Sequence, residues 1–550
     1  MARLDRLGSA KDVAQIGAAI GREFSHALLT SVARKPEAEL ASELNRLIAA
    51  GLLFRQGVPP YASYLFKHAL VQDAAYSTLL REPRRALQAR IVETVEKQFT
   101  EIAENQPGLV AHYCNEAGLI DKAIAYFTKA GQQAAARSAM AEALAQLSKG
   151  LDLLAKLPED RQRWRLELDL QVILGKTLIA AKGYAAPETG RAYARAQELW
   201  EHLGEAPYPD AVLYGRYVHH MVRGEFEVGC QASQELLRLA QQSKDSTSEL
   251  VGHRNLGISL LHLGKLAAAS EHMERALHLL NHTEHRFSSF LSVADLGVSG
   301  MAFSAMGLLL LGSLDRAVRR IREALAEAVK INRPHTLAHV QSVACRIQTV
   351  LRNNAALSDQ AETLVALAKE QSFPYFLGEG LVYRGSAMAH YGKSDDGIAM
   401  MREGLAVHRS TGSAWLLPHF LVLLAEAYES GGQAEMGMTL LTEALSAAEG
   451  TNERWCEAEI HRLKGQLLLA TPARDQTVVE TYLRRAVVVA QEQNAKFWEL
   501  RAATSLARLW RDQGKRDEAR ALLVPIYGWF TEGFDTRDLK QARVLLDALS

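Results

Sequence analysis

The chain has 550 residues, 48% of them hydrophobic, too many for one ordinary core, so several domains or a repeat array are expected. Its 63 basic and 63 acidic side chains cancel, which removes the long-range pull of a nucleic-acid or membrane-surface binder, and neither kind of partner is expected. Four cysteines, Cys114, Cys230, Cys345 and Cys456, have no CxxC pair among them, signal neither a disulfide framework nor a thiolate zinc site, and fit a reducing cytoplasm.

The opening "MARLDRLGSAKDVAQIG" places Arg3, Asp5, Arg6, Lys11 and Asp12 ahead of any apolar run, which is wrong for a secretory signal. Three short helices follow in "AKDVAQIGAAIG", "FSHALLTSVA" and "PEAELASELNRLIAAG", the last opening on Pro36 and closing on Gly51. Two short strands, Leu52 to Gln56 and Tyr64 to Lys67, flank a Gly-Val-Pro-Pro turn, and the helix "HALVQDAAYSTLL" comes next. Three helices and a small hairpin predict a winged-helix-like arm over residues 1–105. Its third helix carries Glu37, Glu39 and Glu43 against Arg46 alone, which would repel phosphates rather than read DNA. The arginines Arg81, Arg84, Arg85 and Arg90 read as a solvated face.

From residue 106 to 550 the texture is repetitive. Counting from Gly264, the positions +2, +5, +9, +12 and +16 are Leu266, Ala269, Met273, Ala276 and Leu280; from Gly312 they are Leu314, Ala317, Ile321, Ala324 and Ala328. Gly432 and Gly514 start similar copies, Gly224 and Gly118 further ones, Gly392 a poorer one, and Asn353 and "TPARD" near Arg474 degraded ones. The turns are therefore roughly 40 residues apart. These offsets share one helical face, and small residues at +5 and +12 let a neighbouring helix approach closely. Gly257 and Gly385 lie inside the preceding helices, where close packing compensates the ~1 kcal/mol a helical glycine costs. In residues 158–215 the register drifts into two long helices, with Pro187 in the first turn of the second. The most apolar stretch, "AFSAMGLLLLGSL", is far short of the ~20 residues that span a bilayer.

Chemistry is sparse. "LGKT" at Leu174 to Thr177 has Leu170 where a phosphate-cradling loop needs its first glycine. The pairs His278 with His282 and His335 with His339 have metal-ligand spacing but no third ligand, and read as solvent-facing. No catalytic residue, cofactor or metal is predicted. Phe376, Trp415, Trp455 and Trp498 recur once per unit near the start of the first helix; they predict either a ligand groove or packing between repeats.

The glycine, small and large spacing resembles the tetratricopeptide repeat (TPR), and implies an all-α TPR-like superhelix. With "IGREF", "YLFKHALVQDAAY", "KGYAAPETGRAYARAQELW" and "GFDTRDLKQARVLLDAL", the chain resembles the winged-helix arm plus repeats of bacterial STAND signalling ATPases, some of which carry an adenylate cyclase domain. In such arms a Met-His-Asp signature contacts the ADP phosphate; Lys67, His68 and Ala69 occupy its places, so the resemblance carries a phosphate role to His68 alone. It also implies that "ARLDRLG" continues an upstream ATPase and that this chain is a truncated or split member. The expected function is that of a non-catalytic regulatory module, binding a protein, peptide or small effector and controlling an ATPase or adenylate cyclase core in cis or trans. The alternatives are a TPR-type transcription regulator that works with a separate DNA-binding chain, and an enzyme of unrecognised type.

Overall fold

The computed structural model describes residues 7–204, 209–282, 294–470 and 475–550. The chain divides into two compact units, one ending at Leu170 and the other spanning Gln171–Ser550.

The first unit begins with α1 (Ala10–Ile20), β1 (Glu23–Ser25), α2 (His26–Ala33), α3 (Glu37–Ala49), β2 (Leu53–Gln56), β3 (Ser63–Phe66) and α4 (Ala69–Ser77). The three helices and the hairpin match the sequence reading to within a few residues. The three-residue β1 escaped it, because a strand that short has no alternation to read. The sheet is antiparallel in the order β1-β3-β2, with Phe24 opposite Tyr64 and Leu53 opposite Phe66. Phe24 stacks on Tyr64 at 5.7 Å between ring centres and lies against α1 at Gly17, where a Cβ would come within 2.6 Å of the ring. Beyond this module run α5 (Arg81–Gln98), α6 (Thr100–Asn105), α7 (Pro107–Ala117), α8 (Ile120–Ala136) and α9 (Met140–Leu154). Gly118, the first of the predicted turn glycines, sits between α7 and α8 at φ +77°. The cluster of arginines is less uniform than a solvated face: Arg84 stacks over Tyr76 at 4.6 Å and donates to the Leu79 carbonyl at 3.1 Å.

The second unit is a stack of helical hairpins. After α10 (Arg161–Lys182) and α11 (Pro187–Leu203) they are α12 (Pro209–Val222) with α13 (Phe226–Ser243), α14 (Ser246–His262) with α15 (Leu266–His282), and α16 (Leu296–Leu310) with α17 (Leu314–Ile331). Then come α18 (Pro334–Leu351) with α19 (Asn354–Glu370), α20 (Pro374–His390) with α21 (Ser394–Ser410), and α22 (Leu417–Ser430) with α23 (Ala434–Thr451). The stack ends with α24 (Glu457–Ala470) and α25 (Gln476–Glu492), α26 (Lys496–Asp512) and α27 (Arg516–Gly528), and a closing α28 (Arg537–Leu549).

The predicted turn glycines Gly224, Gly264, Gly312, Gly392, Gly432 and Gly514 each end the first helix of a hairpin with φ between +74° and +94°. Of the "TPARD" turn, residues 471–474 lie outside those described. The stripe follows the predicted offsets: Leu314, Ala317, Ile321, Ala324 and Ala328 are buried on α17. A second set of turns, between hairpins, was invisible in the sequence because glycine rarely marks it; Lys244, Asn332, Ser372, Asn452 and Asn494 hold positive φ there without it.

The solenoid winds tightly enough that hairpins five places apart touch. The Val222 carbonyl, ending α12, accepts from the backbone N–H groups of Ala414 and Trp415 at 3.0 Å each. One hairpin further on, the His262 carbonyl accepts from Arg454 at 2.7 Å and Trp455 at 3.3 Å. Gly312 then packs against Lys496 and Trp529, and on the next layer Arg501 donates to the Val350 carbonyl.

Candidate functional site

The winding places the first helix of each hairpin inside. On α16 nearly every residue from Leu296 to Leu310 is buried, and on α18 only four positions reach water. These inner helices carry polar groups as well as apolar ones: Arg254, Asn255, Ser259 and His262 on α14, Gln341, Ser342, Arg346 and Gln348 on α18 are all buried. Their side chains meet along the axis.

The four predicted groove aromatics lie in that interior. Phe376, Trp415, Trp455 and Trp498 are 1%, 6%, 0% and 3% exposed, so they join successive layers instead of facing an open channel. His262 meets Trp415 edge-on at 5.1 Å, Phe303 stacks on Trp415 at 6.0 Å, His419 meets Trp455 at 5.0 Å, and the Trp498 indole donates to the Trp455 carbonyl at 2.9 Å. Trp415 and Trp455 each precede a hairpin and meet His262 in the layer one turn below.

Trp415 borders an internal space. A narrow cavity of about 30 Å³ lies between α12, α14, α16 and α18, with Tyr184, Tyr217, Arg254, Phe303, His339 and Trp415 in its wall. That is room for about two water molecules or a comparably small solute. Arg254 donates to Asn255 Oδ1 at 2.7 Å and to Ser299 Oγ at 2.5 Å, while its Nε has no partner. Ser299 in turn meets His339 Nε2 at 2.9 Å. Burial, and after it the charges of Arg254 and Arg346, push His339 toward the neutral form. Arg346 lies over the rings of Trp415 and Phe303 at 5.5 Å and 5.9 Å. A negative group does stand near Arg346: Glu379, fully buried, bonded by Ser342, and itself raised above the usual carboxylate range by burial.

The buried histidines share one electrostatic condition. Burial lowers His262, His335 and His419 to about 3 and His408 to about 4, so all four are neutral at physiological pH. His335 and His339 are therefore not the solvent-facing pair that their spacing suggested: α18 is an inner helix, and its two faces both meet neighbours. His278 is exposed, and the side chain of His282 lies outside the described residues. Glu453 is the opposite case, raised to about 7 by burial although the Trp455 indole donates to it at 2.8 Å and the Leu416 backbone at 3.0 Å.

A second polar cluster closes the far end. Arg501 clasps Asp538 through two bonds of 2.7 and 2.8 Å and reaches Glu459 at 3.1 Å, Arg462 holds Glu459 at 2.8 Å, and Arg352 stands 3.5 Å from Asp538. The guanidinium groups hold both carboxylates below their usual range against burial. Such a cluster ties α24, α26 and α28 to the turn that follows α18; it presents no unpaired acid or base.

Reactive groups are likewise not primed. Burial pushes the thiols of Cys114, Cys345 and Cys456 upward, away from the thiolate. Among the described residues no three His, Cys, Asp or Glu gather as a metal site, and no helix is long and apolar enough to cross a membrane. In the first unit His68 is exposed at the junction of β3 and α4, with no side-chain hydrogen bond at that helix start. Sequence reasoning missed Arg254 altogether; the available signal was an arginine beside an asparagine in the helix that precedes a turn glycine, where repeat units otherwise keep apolar or small residues.

No described protein family matches the chain. It is 25% identical over 511 residues to an uncharacterised protein of Rhizobium meliloti (strain 1021), covering 92% of this chain and 49% of that one, so it spans about half the length of the curated relative it matches. Among solved structures it is similar to a Rap protein complexed with Competence and Sporulation Factor, with a TM-score of 0.51 at 11% identity, over 67% of this chain and 98% of that one. A Pyrococcus horikoshii STAND protein with a tetratricopeptide repeat sensor aligns over 98% of this chain and 65% of its own, at 14% identity and a TM-score of 0.33. The Rap likeness establishes the fold: an all-α, TPR-like solenoid.

Proposed function

We propose that the chain is a non-catalytic regulatory module whose solenoid binds an effector, and that binding is passed to an associated ATPase or adenylate cyclase core in cis or in trans. In this reading residues 1–105 form a winged-helix arm, with His68 directed to a nucleotide phosphate on that core, and residues 106–550 form the sensing array in a bacterial cytoplasm. The observation that carries the reading is the axial cavity, whose wall holds a buried guanidinium with an unpartnered Nε together with aromatic rings. Polar groups are rarely left unmatched in an interior without a purpose, since each costs about 1–3 kcal/mol. The packed axis favours a small effector over a peptide threaded through the coil; a protein or peptide partner would dock outside. Because each hairpin touches only its neighbours and the layer one turn away, ordering at the cavity stiffens the whole stack. The Rap protein's complex with a signalling factor and the greater length of the Rhizobium meliloti relative are compatible with such a role.

Hydrogen exchange on the purified chain, with and without a panel of metabolites and peptides, tests this. A ligand that slows exchange in α12, α14, α16 and α18, with no ATP hydrolysis or cyclic AMP formation by the chain, is the expected result. Nucleotide turnover by the polypeptide alone overturns it.

A further inference from the structure

Resting on that reading, we infer that the axial cavity is a site for a small carboxylate, held by Arg254. The guanidinium is always charged, and Arg254 is only 4% exposed. Its hydrogen-bond partners, Asn255 Oδ1 and Ser299 Oγ, are neutral, and no carboxylate forms an ion pair with it among the described residues. Compare Arg501, equally buried, which has Asp538 and Glu459. A buried charge without a counter-charge is costly, and one that lines a cavity with its Nε unpartnered is set up to take a negative group from solution.

The wall defines the rest of the ligand. Tyr184, Tyr217 and His339 share that wall with Arg254, while Met221, Val218 and Phe303 line the remainder with apolar surface. Burial holds the tyrosines in the phenol form and His339 neutral. Nothing in that wall competes with an anion for Arg254. A planar carboxylate matches the flat fork of the guanidinium, and a volume near 30 Å³ limits the molecule to a few heavy atoms. The inferred class is therefore the smallest monocarboxylates, formate and acetate.

Titration calorimetry and thermal melts of the full chain against formate, acetate, propionate and butyrate, with chloride and inorganic phosphate as further arms, decide the matter. Saturable binding of formate or acetate, lost as the chain lengthens to propionate and butyrate, with a rise in melting temperature, is expected. Arg254→Met should weaken that binding on the order of 100-fold, and in the absence of ligand it should melt no lower than the parent, since it removes an unmatched charge. Should Arg254→Met fail to fold, Trp415→Phe supplies the second variant, shifting affinity and chain-length preference. Equal binding of chloride or phosphate, or carboxylate binding unchanged in Arg254→Met, overturns the inference. If no anion binds while an uncharged effector or peptide slows exchange at the axis, this assignment fails and the regulatory reading stands; nucleotide turnover removes that reading without touching the anion result.

Discussion

The inner and outer helices of the solenoid share a fold and almost a length, yet they obey different rules. On the outer α17 only Leu314, Ala317, Ile321, Ala324 and Ala328 are buried, a single stripe at helical spacing with charged residues elsewhere. On the inner α16 burial runs from Leu296 to Leu310 on every face, interrupted only at the half-buried Met301, and Ser299 and Ser304 are buried among the apolar residues. An outer helix has one neighbouring layer; an inner helix has its own hairpin, the next hairpin, and the layer one superhelical turn away. The consequence is that polar chemistry on the outside is solvated and cheap, whereas on the inside each charge and each proton is part of the stability.

The largest expected expression of that difference is in acid. Four axial histidines, His262, His335, His408 and His419, are held at about 3 to 4, against an ordinary value near 6.5. Their folded values are depressed, so the unfolded chain binds protons more readily, and the stability they represent is complete above about pH 6.5 and lost as pH falls below it. Each contributes about 1.4 kcal/mol per pH unit in that window. Glu453, raised to about 7, works the other way, regaining stability as pH falls from 7 toward its ordinary range. The net is a loss on the order of 4 kcal/mol per unit, enough to exhaust an ordinary stability of about 5–15 kcal/mol within a few units. Urea melts at pH 7.5, 6.5 and 5.5 should show a steep fall in midpoint below 6.5; a flat profile would mean that the axis is open to water.

Next in size is the charge cluster. Asp538→Ala leaves Arg501 and Arg352 facing each other in the interior and should cost about 3–5 kcal/mol. Asp547→Ala, on the same α28 but in an exposed pair with Arg543, should stay within about 0.5 kcal/mol. Chemical denaturation of the two variants compares buried and solvated carboxylates on one helix, and equal losses would break the distinction.

A third contrast is steric. Gly385 on α20 faces Gly397 on α21 so closely that a Cβ would lie 2.5 Å from the Gly397 carbonyl oxygen. Gly385→Ala must push two backbones apart, and a loss of about 1–3 kcal/mol or more is expected in the same denaturation assay.

How much of this could be read from residues alone follows the same inside–outside division. The hairpin corners and the stripe were legible, because a turn that needs positive φ selects Gly264 or Gly312 and an outer helix shows its one buried face as a period. The close approach at Gly385 was legible too, as a glycine that a helix would otherwise avoid. The axial site was not. A helix buried all round has no period, so Arg254 looks like surface charge and His335 and His339 look like a solvent-facing pair until the layer one turn away is in place. The predicted aromatics show the limit well: their recurrence once per unit was real, but whether a recurring tryptophan faces a groove or a seam depends on how tightly the solenoid winds, and contacts between Val222 and Trp415, far apart in the chain, decide that. Lys244 and Asn332 in left-handed turns were hidden for a simpler reason, since residues other than glycine can hold that conformation when the chain on both sides is fixed.

The smallest effect is the one whose sign separates the layers. Gly450, near the end of the outer α23, has no atom within 4 Å of where a Cβ would stand, and its φ is an ordinary helical one. Gly450→Ala therefore restricts the unfolded chain without a clash in the folded one, and should stabilise by about 0.5–1 kcal/mol. Gly465, on the inner α24, would bring its Cβ to 3.0 Å from Leu483 Cδ2 and 3.3 Å from the Val479 carbonyl oxygen. There the same substitution gains the same chain entropy but must displace a buried leucine, so the gain is reversed. Thermal melts of the two single variants should move in opposite directions. If both rise, the inner layer has slack that its burial does not reveal, and the close packing inferred for the axis would have to be loosened; if both fall, intrinsic helix preference is not what limits the outer layer.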